Sequence, residues 1–482
     1  MQDWIAEELR TVSLPDARLE HRCRLLLDRL SSKSMQSIPT ACGGWAETQA
    51  AYRFFANERV TAKQLHQPHW DATLERIGQH PVVLMTQDTT QFEMTRQEER
   101  LGGPLSDEEH RGYLDHVTLA LTPERLTLGV VANQLWARDA ATFRQRSKRR
   151  TKPIQEKESY RWIESYQQAC AVAEQVPQTQ VISISDSEGD IYEYFAAAAE
   201  RPGIQAEFII RGCQDRCVAG MLEDDKALKP AAKLRETVAA ALVLGTLEIQ
   251  VSKREAQSHD GSKRQRERTA RQATVSVQST TVVLQPPVRP KDQGKLPAVK
   301  VNVVLVRELR PPEGEPAIEW VLLTSLAAES FDQACLVIDY YTCRWECEVF
   351  FRVLKSGCTI EELQFESTER FEKCLMLYLV VAWRVLYVMR LGRDCPDLPC
   401  DVVFTPDEWQ AVYAVVKKKR ATEKPKLGEM VRMVAQLGGY LNRKNDSPPG
   451  PKALWIGLQR TKDLALSWMM AHAKPNCLVS CV

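Results

Sequence analysis

The chain has 482 residues, 44% of them hydrophobic and 26% charged, with a formal net charge of +1. That length exceeds one compact core and predicts two to four domains, and the composition is that of an ordinary globular protein. Near-neutral charge gives no global signal for a polyanion partner, while fourteen cysteines without a CxxC pair and eight histidines without an HExxH motif disfavour a zinc enzyme and predict reduced thiols.

Residues 1–75 read as helices. WIAEELR, ARLEHRCRLLLDRLSS, WAETQAAYRFFAN and TAKQLHQPHWDATL carry apolar residues at a 3.6-residue period and are separated by SLP, SIPTACGG and NERV. With Arg22, Arg24 and Arg29 on one helix and Tyr52 and Arg53 on another, they suit a small DNA-binding bundle, and an ordinary helical subdomain nearly as well. From residue 81 the period changes. PVVLMTQDTTQF is an apolar run entering a polar turn, and GYLDHVTLALT and RLTLGVVANQLWAR follow as strands with a turn at Pro123 and Glu124. ESYRWIESYQQACAVAEQV is then an amphipathic helix, and QVISISDSEGDIYEYFAAAA a buried strand, an acidic turn and a helix. Strand, meander, helix, strand, helix is the order of a ribonuclease-H-like α/β core.

Between about 213 and 325 the chain reads as strands divided by charged turns, an antiparallel β insertion in that core. Helices resume at residue 329 and continue through the C-terminal region. The most apolar stretch, 374–389, is broken by Arg384, which predicts a buried helix and no membrane span. The N-terminus lacks the order of a secretory signal, so the expected location is cytoplasmic. The expected architecture is α/β: a helical domain at 1–75, a catalytic domain at 76–370 and a helical domain at 371–482. Basic runs at 143–152, 253–272 and 415–420 point to a phosphate-backbone partner about as readily as to solvated loops.

Two acids stand where buried strands run out, Asp88 after VVLMTQ and Asp186 after VISIS. Neighbouring strand ends can bring carboxylates together, a juxtaposition that needs a cation or proton to compensate it. Hard oxygen ligands suit Mg²⁺ or Mn²⁺, and two such ions shared by three carboxylates can activate water and stabilise a leaving 3′ oxygen. Each aspartate is also a good turn or cap residue. A third acid comes from YYTCRWECEVFFRVLKSG at 340–357. On one continuous helix Tyr341, Arg344, Glu348 and Lys355 fall within a sector of roughly 60°, opposite the apolar Val349, Phe350, Val353 and Leu354, while Glu346 lies about 140° from Tyr341. Alone, the segment is a surface helix with an Arg344/Glu348 pair. Beside the two aspartates it reads as a phosphate-reading ledge with a metal-binding acid, Glu348, in its middle.

The spacing Tyr-x2-Arg-x3-Glu-x6-Lys resembles the signature of the insertion sequence 4 family of cut-and-paste transposases. TQDTT, DSEGDIYEYF, AYRFF with NERV, RPPEGE, EWVLLTS, LGGY and ALW extend the resemblance along nearly the whole chain. It implies a DDE transposase in which Asp88, Asp186 and Glu348 bind two Mg²⁺ ions, with Mn²⁺ able to substitute. Such enzymes nick one strand at the transposon end, form and reopen a hairpin, and insert the ends into target DNA. The implied partners are double-stranded DNA, as terminal inverted repeats and as target, and a second copy of the chain paired through the C-terminal helices. Tyr341, Arg344 and Lys355 match phosphate-contacting positions, and Arg211 a further basic one. Trp320 matches the tryptophan on which a flipped base stacks. Tyr52 and Arg53 match the end-binding segment. Cys343, Glu346 and Cys347 depart from the expected pattern, and the N-terminal bundle matches less closely than the core. Two rivals stand beside this reading: a structure-selective nuclease on the same core, and a catalytically silent DNA-binding regulator or inhibitor of transposition.

Overall fold

A computed structural model describes residues 3–95, 102–107, 109–141, 143, 152–200, 203–219, 232–251, 269–288 and 296–472. Helices at Asp3–Glu8, Ala17–Ser32, Ile38–Cys42, Trp45–Ala56 and Ala62–Ile77 precede strands β1 (Val82–Glu93), β2 (Gly103–Pro104), β3 (Arg111–Leu121) and β4 (Thr127–Trp136). Helix Tyr160–Gln175, β5 (Gln180–Ser185) and helix Tyr192–Glu200 follow. Next come β6 (Glu207–Arg211), β7 (Cys217–Ala219), β8 (Ala232–Lys233), β9 (Val243–Val251), β10 (Arg271–Leu284), β11 (Val299–Glu308) and β12 (Glu319–Thr324). The chain closes with helices Phe331–Thr342, Trp345–Arg352, Thr368–Asp394, Pro406–Lys417, Leu427–Leu437 and Pro451–His472. The fold is thus mixed α/β, a large mixed sheet with flanking helices. It divides into two compact units: Met1–His80 with Thr89–Gln145 and Trp345–Val482, and Pro81–Asp88 with Arg146–Arg344.

In the second unit β1 and β5 are parallel, registered from Val82↔Gln180 to Thr86↔Ile184, and β5 is parallel to β6. Five of the six residues of QVISIS are buried, as a strand covered on both faces requires. The cover comes from Tyr166 and Tyr194, whose rings lie 4.7 Å apart; Tyr194 donates to Ser183 Oγ at 3.0 Å and Tyr166 to the Ala206 carbonyl at 3.1 Å. Beyond β6 the sheet turns antiparallel through β12, β11 and β10, with β9 and β7 both paired to β10. Valines carry this part: Val275, Val277, Val303, Val304 and Val306 are buried, as β-branched side chains on a pleated surface tend to be.

In the first unit the long helix Thr368–Asp394 is the centre. It is the one helix among the described residues long and apolar enough to cross a membrane, yet 78% of its most apolar window is buried here. Phe371 stacks on Tyr113 at 5.1 Å, Trp383 Nε1 donates to the Thr127 carbonyl at 2.8 Å, and the buried Lys373 donates from Nζ to the Asn57 carbonyl at 2.9 Å. Asn57 caps the helix Trp45–Ala56, so this lysine ties the N-terminal bundle to the core helix. Arg22 and Arg29, read from the sequence as DNA-facing candidates, both bind Glu47 Oε2, at 2.5 and 2.7 Å, and fasten two helices together.

The first helix is anchored by a buried network. The Val130 amide donates to His69 Nε2 at 2.9 Å, which places the ring proton on Nδ1, where it donates to Glu8 Oε1 at 2.5 Å. Arg76 donates to both Glu8 oxygens at 3.0 Å. Burial alone would raise the Glu8 carboxyl, but His69 and Arg76 outweigh it and hold it at about 2. Burial, with His69 beside it, pushes the His66 imidazole down to about 4. The twelve described cysteines are all free, and the described residues hold no cluster of three or more metal-ligating side chains.

Two sequence expectations need correction. TQDTT is not a turn: β1 runs through Asp88 to Glu93, because Thr89, Thr90 and Phe92 extend the β-favouring run. Nor is 340–357 one helix. Thr342 Oγ1 and Cys343 Sγ both bond back to the Asp339 carbonyl, at 2.7 and 3.4 Å, and the amides of Cys343 and Arg344 fall back to i→i−3 bonds. Such back-bonding competes with the helical ladder. Val353–Gly357 then widens into a π turn. Tyr341 lies before the break, Glu348 after it and Lys355 in the π turn, so no single uninterrupted helix sets Tyr341, Arg344, Glu348 and Lys355 on one face. The basic runs at 143–152 and 253–272 fall largely outside the described residues.

Candidate active site

Thr86 and Ile184 are the last registered pair of strands that run roughly 4.8 Å apart; two residues further along stand Asp88, still within β1, and Asp186, just past the end of β5. Gln87 Nε2 reaches back across the pair to Ser183 Oγ at 3.0 Å, within the registered stretch. Asp186 leaves the strand as the cap of a short 3-10 turn, Ser187–Gly189, and its Oδ1 accepts the Glu188 amide at 2.7 Å. It is both a strand-end acid and a cap residue. Gly189 is required by close approach, since a Cβ there would lie 2.6 Å from that of Ser185.

Cations gather beside this pair. Arg344 Nη1 lies 2.5 Å from Asp88 Oδ2. Tyr341 is buried, and burial is the main influence raising its phenol; Arg344 and Arg211 act the other way, and Asp186 adds to the rise, so all three lie within electrostatic reach of the hydroxyl. Arg211 is the last residue of β6 and pairs with Leu322. Trp320 on β12 is half-buried, packs against Val251, Ala273 and Ile318, and holds its ring 5.9 Å from that of Tyr341.

A third aspartate, which the sequence reading passed over, holds the turn. Asp190 Oδ2 accepts the amides of Cys213 and Gln214 at 2.8 and 2.7 Å, and its Oδ1 accepts Arg216 Nε at 3.0 Å. The signal lay in DSEGD, a second aspartate four residues after the first.

In the first unit, burial separates two glutamates that helical phase alone had separated. Glu346 is fully buried; Arg390 Nε donates to its Oε2 at 3.0 Å, Arg390 Nη2 to its Oε1, and Arg125 stands 4.0 Å from Oε1. Glu348 is exposed and has no hydrogen bond or ion pair among the described residues. Lys355 sits in the π turn, with Nζ 3.9 Å from Glu361 Oε1. Tyr52 is half-buried with its ring 5.9 Å from Phe365, while Arg53 is exposed and reaches Gln49 at 3.5 Å.

Three family profiles match this chain in order: Transposase DNA-binding over residues 1–60, Transposase DDE domain over 134–384, and Transposase Tn5 dimerisation domain over 380–470. The second alone takes in more than half of the chain. The chain belongs to the Tn5-like DDE transposases. Among solved structures, the cryo-EM structure of a piggyBac transposase synaptic complex with hairpin DNA is similar at 9% identity and a TM-score of 0.30 over 86% of this chain. The chain spans 59% of that protein's length, and the likeness is too distant to transfer any residue.

DDE transposases work with divalent metals, and the residues present fit one. Asp88 on β1 and Asp186 just past the end of β5 are hard-oxygen donors of the kind such an ion takes, while Arg344 holds its guanidinium against Asp88. In the DDE transposase family three acids are expected. Of the two offered near residue 347, the structure engages Glu346 in an internal ion pair and leaves Glu348 to solvent.

Proposed function

We propose that this chain cuts and pastes DNA. It nicks one strand at each transposon end, uses the freed 3′-OH to form a hairpin, reopens that hairpin with water, and joins the ends to target DNA. The observation that carries the reading is the parallel pairing of β1 with β5, whose last registered pair stands two residues before Asp88 and Asp186, with Arg344 against Asp88. We read the core as ribonuclease-H-like, bounded at about 76–370, with the end-binding domain before it and the pairing helices after it.

Asp88, Asp186 and Glu348 would hold two Mg²⁺ ions, or Mn²⁺ in their place, which supply an activated water and neutralise the leaving 3′ oxygen. The chain's own side chains bind and orient DNA. Arg344, Arg211 and Lys355 are cations for phosphates and Tyr341 a neutral donor. Trp320 offers an indole face to an unpaired base, where stacking offsets the cost of flipping it. Tyr52 and Arg53 belong to the surface that reads the terminal repeat, and two copies pair two ends through the C-terminal helices. The expected setting is the bacterial cytoplasm, on the nucleoid when DNA is bound.

The test is a duplex carrying the native element end, incubated with the protein in Mg²⁺ and resolved on a denaturing gel. A nick followed by a metal-dependent hairpin at the boundary is the expected result. Nicking with no hairpin and no strand transfer would reassign the chain as a nuclease. Specific binding without cleavage in either Mg²⁺ or Mn²⁺ would make it a regulator of transposition.

A further inference from the structure

The Asp88 carboxylate already has a cation. Arg344 Nη1 and Asp88 Oδ2 are 2.5 Å apart, and the two side chains are only 16% and 13% exposed, so the pair sits where charge is poorly screened. A divalent ion on Asp88 Oδ2 would share one oxygen with a guanidinium, a like-charge contact that a single carboxylate does not offset. A DNA phosphate competes well for the same guanidinium, since Arg binds phosphate and carboxylate with the same planar fork. Arg211 also lies within electrostatic reach of Tyr341. A phosphate arriving there therefore meets two positive charges, and the movement of Arg344 onto it leaves the phosphate site stabilised while Asp88 loses its counter-ion.

We propose that Arg344 is a positioning residue that couples metal binding to DNA binding. In the DNA-free chain it neutralises Asp88 and opposes the divalent ion; a DNA phosphate draws it off and opens Oδ2 to the metal. The inference rests on the assignment of Asp88 and Asp186 as metal ligands. Linkage makes the coupling reciprocal, so metal strengthens DNA binding by the same factor by which DNA strengthens metal binding.

The experiment measures Mn²⁺ binding to the full chain by the electron paramagnetic resonance signal of the unbound ion. It is done without DNA and with a pre-cleaved duplex of the element end, which offers no bond to nick. Wild-type protein is expected to bind Mn²⁺ weakly alone and about tenfold more tightly with the duplex, within the usual range for coupled sites. Duplex phosphates can ligate the ion themselves, so the deciding comparison is DNA-free. There Arg344→Gln is expected to tighten Mn²⁺ binding about tenfold, and the duplex to add much less than in wild type. Arg344→Lys keeps a charge and is expected to stay close to wild type. Unchanged or weaker Mn²⁺ binding by DNA-free Arg344→Gln, with its circular dichroism melt intact, overturns the inference. If that variant does not fold, equal Mn²⁺ affinity of the wild type with and without duplex overturns it instead. Asp88→Asn and Asp186→Asn are the separate control: Mn²⁺ binding that survives both sinks the ligand assignment, whatever Arg344 does.

Discussion

The acidic turn after β5 carries Asp186, Glu188 and Asp190, the helix Trp345–Arg352 carries Glu346 and Glu348, and each region locks one acid, Asp190 or Glu346, in a buried ion pair. The means differ. Asp190 is gripped by two backbone amides and a guanidinium, so it holds a loop in shape. Glu346 is gripped by arginine side chains alone, Arg390 closely and Arg125 at 4.0 Å, so it holds one helix to its neighbours. In both places a buried charge is tolerated because it is paired. Asp186 caps its turn by accepting the Glu188 amide and Glu348 is exposed, and neither is held by a buried ion pair among the described residues.

That comparison can be broken in order of expected effect. Asp186→Asn or Glu348→Gln is expected to reduce nicking about 10³-fold or more while leaving the thermal midpoint nearly unchanged, as for groups that act only on the reaction. Cleavage kept within tenfold of wild type by either would remove that acid from the site. The locked acids behave in the opposite way. Asp190→Ala is expected to cost about 3–5 kcal/mol of stability, measured by urea unfolding, because it strands Arg216 and two amides; Glu346→Ala should cost somewhat less, because it strands side chains only. If Glu346→Ala proves harmless to stability but fatal to nicking, the two glutamates have been assigned the wrong way round.

A smaller effect is expected at Trp320. Trp320→Ala should slow hairpin formation about tenfold more than first nicking, if the indole serves an unpaired base. Equal slowing of both steps in a folded variant points to packing against Val251 and Ile318 instead. An effect of another kind, on stability with pH, belongs to the first unit. His66 is depressed from 6.5 to about 4, so the unfolded chain takes up a proton first and stability falls as pH drops through that window. Glu8, depressed from 4.5 to about 2, adds a second loss between those values. Melting curves should therefore decline below pH 6.5, and His66→Gln should flatten the decline between 6.5 and 4. An equally steep decline in that variant would assign the upper window to other groups.

Much of this was legible in the sequence. The helix Ala17–Ser32 coincides with the periodic run ARLEHRCRLLLDRLSS, and QVISIS was readable as buried because nothing in it alternates with polar side chains of any size. Asp186 was legible because its strand ends there. Asp88 was singled out as a strand-end acid, but its strand continues to Glu93; the pairing of β1 with β5, about 100 residues apart in the chain, is invisible to local pattern. The choice of Glu348 over Glu346 rested on helical phase, and the interrupted helix removes that ground. What separates the two glutamates in the structure is the burial of Glu346 against Arg390, 44 residues away. Long-range ion pairs of this kind decide which of two neighbouring acids is available, and neither composition nor periodicity encodes them.

Lys373 has a use that its role as a tie does not suggest. An amine buried at 1% exposure, bonded to the Asn57 carbonyl and ion-paired with Glu369 on its own helix, is shielded from an acylating reagent while the N-terminal bundle stays on the core helix. Its rate of acylation, set against that of exposed lysines such as Lys418 and Lys419, is a built-in clock for how often that bundle comes away.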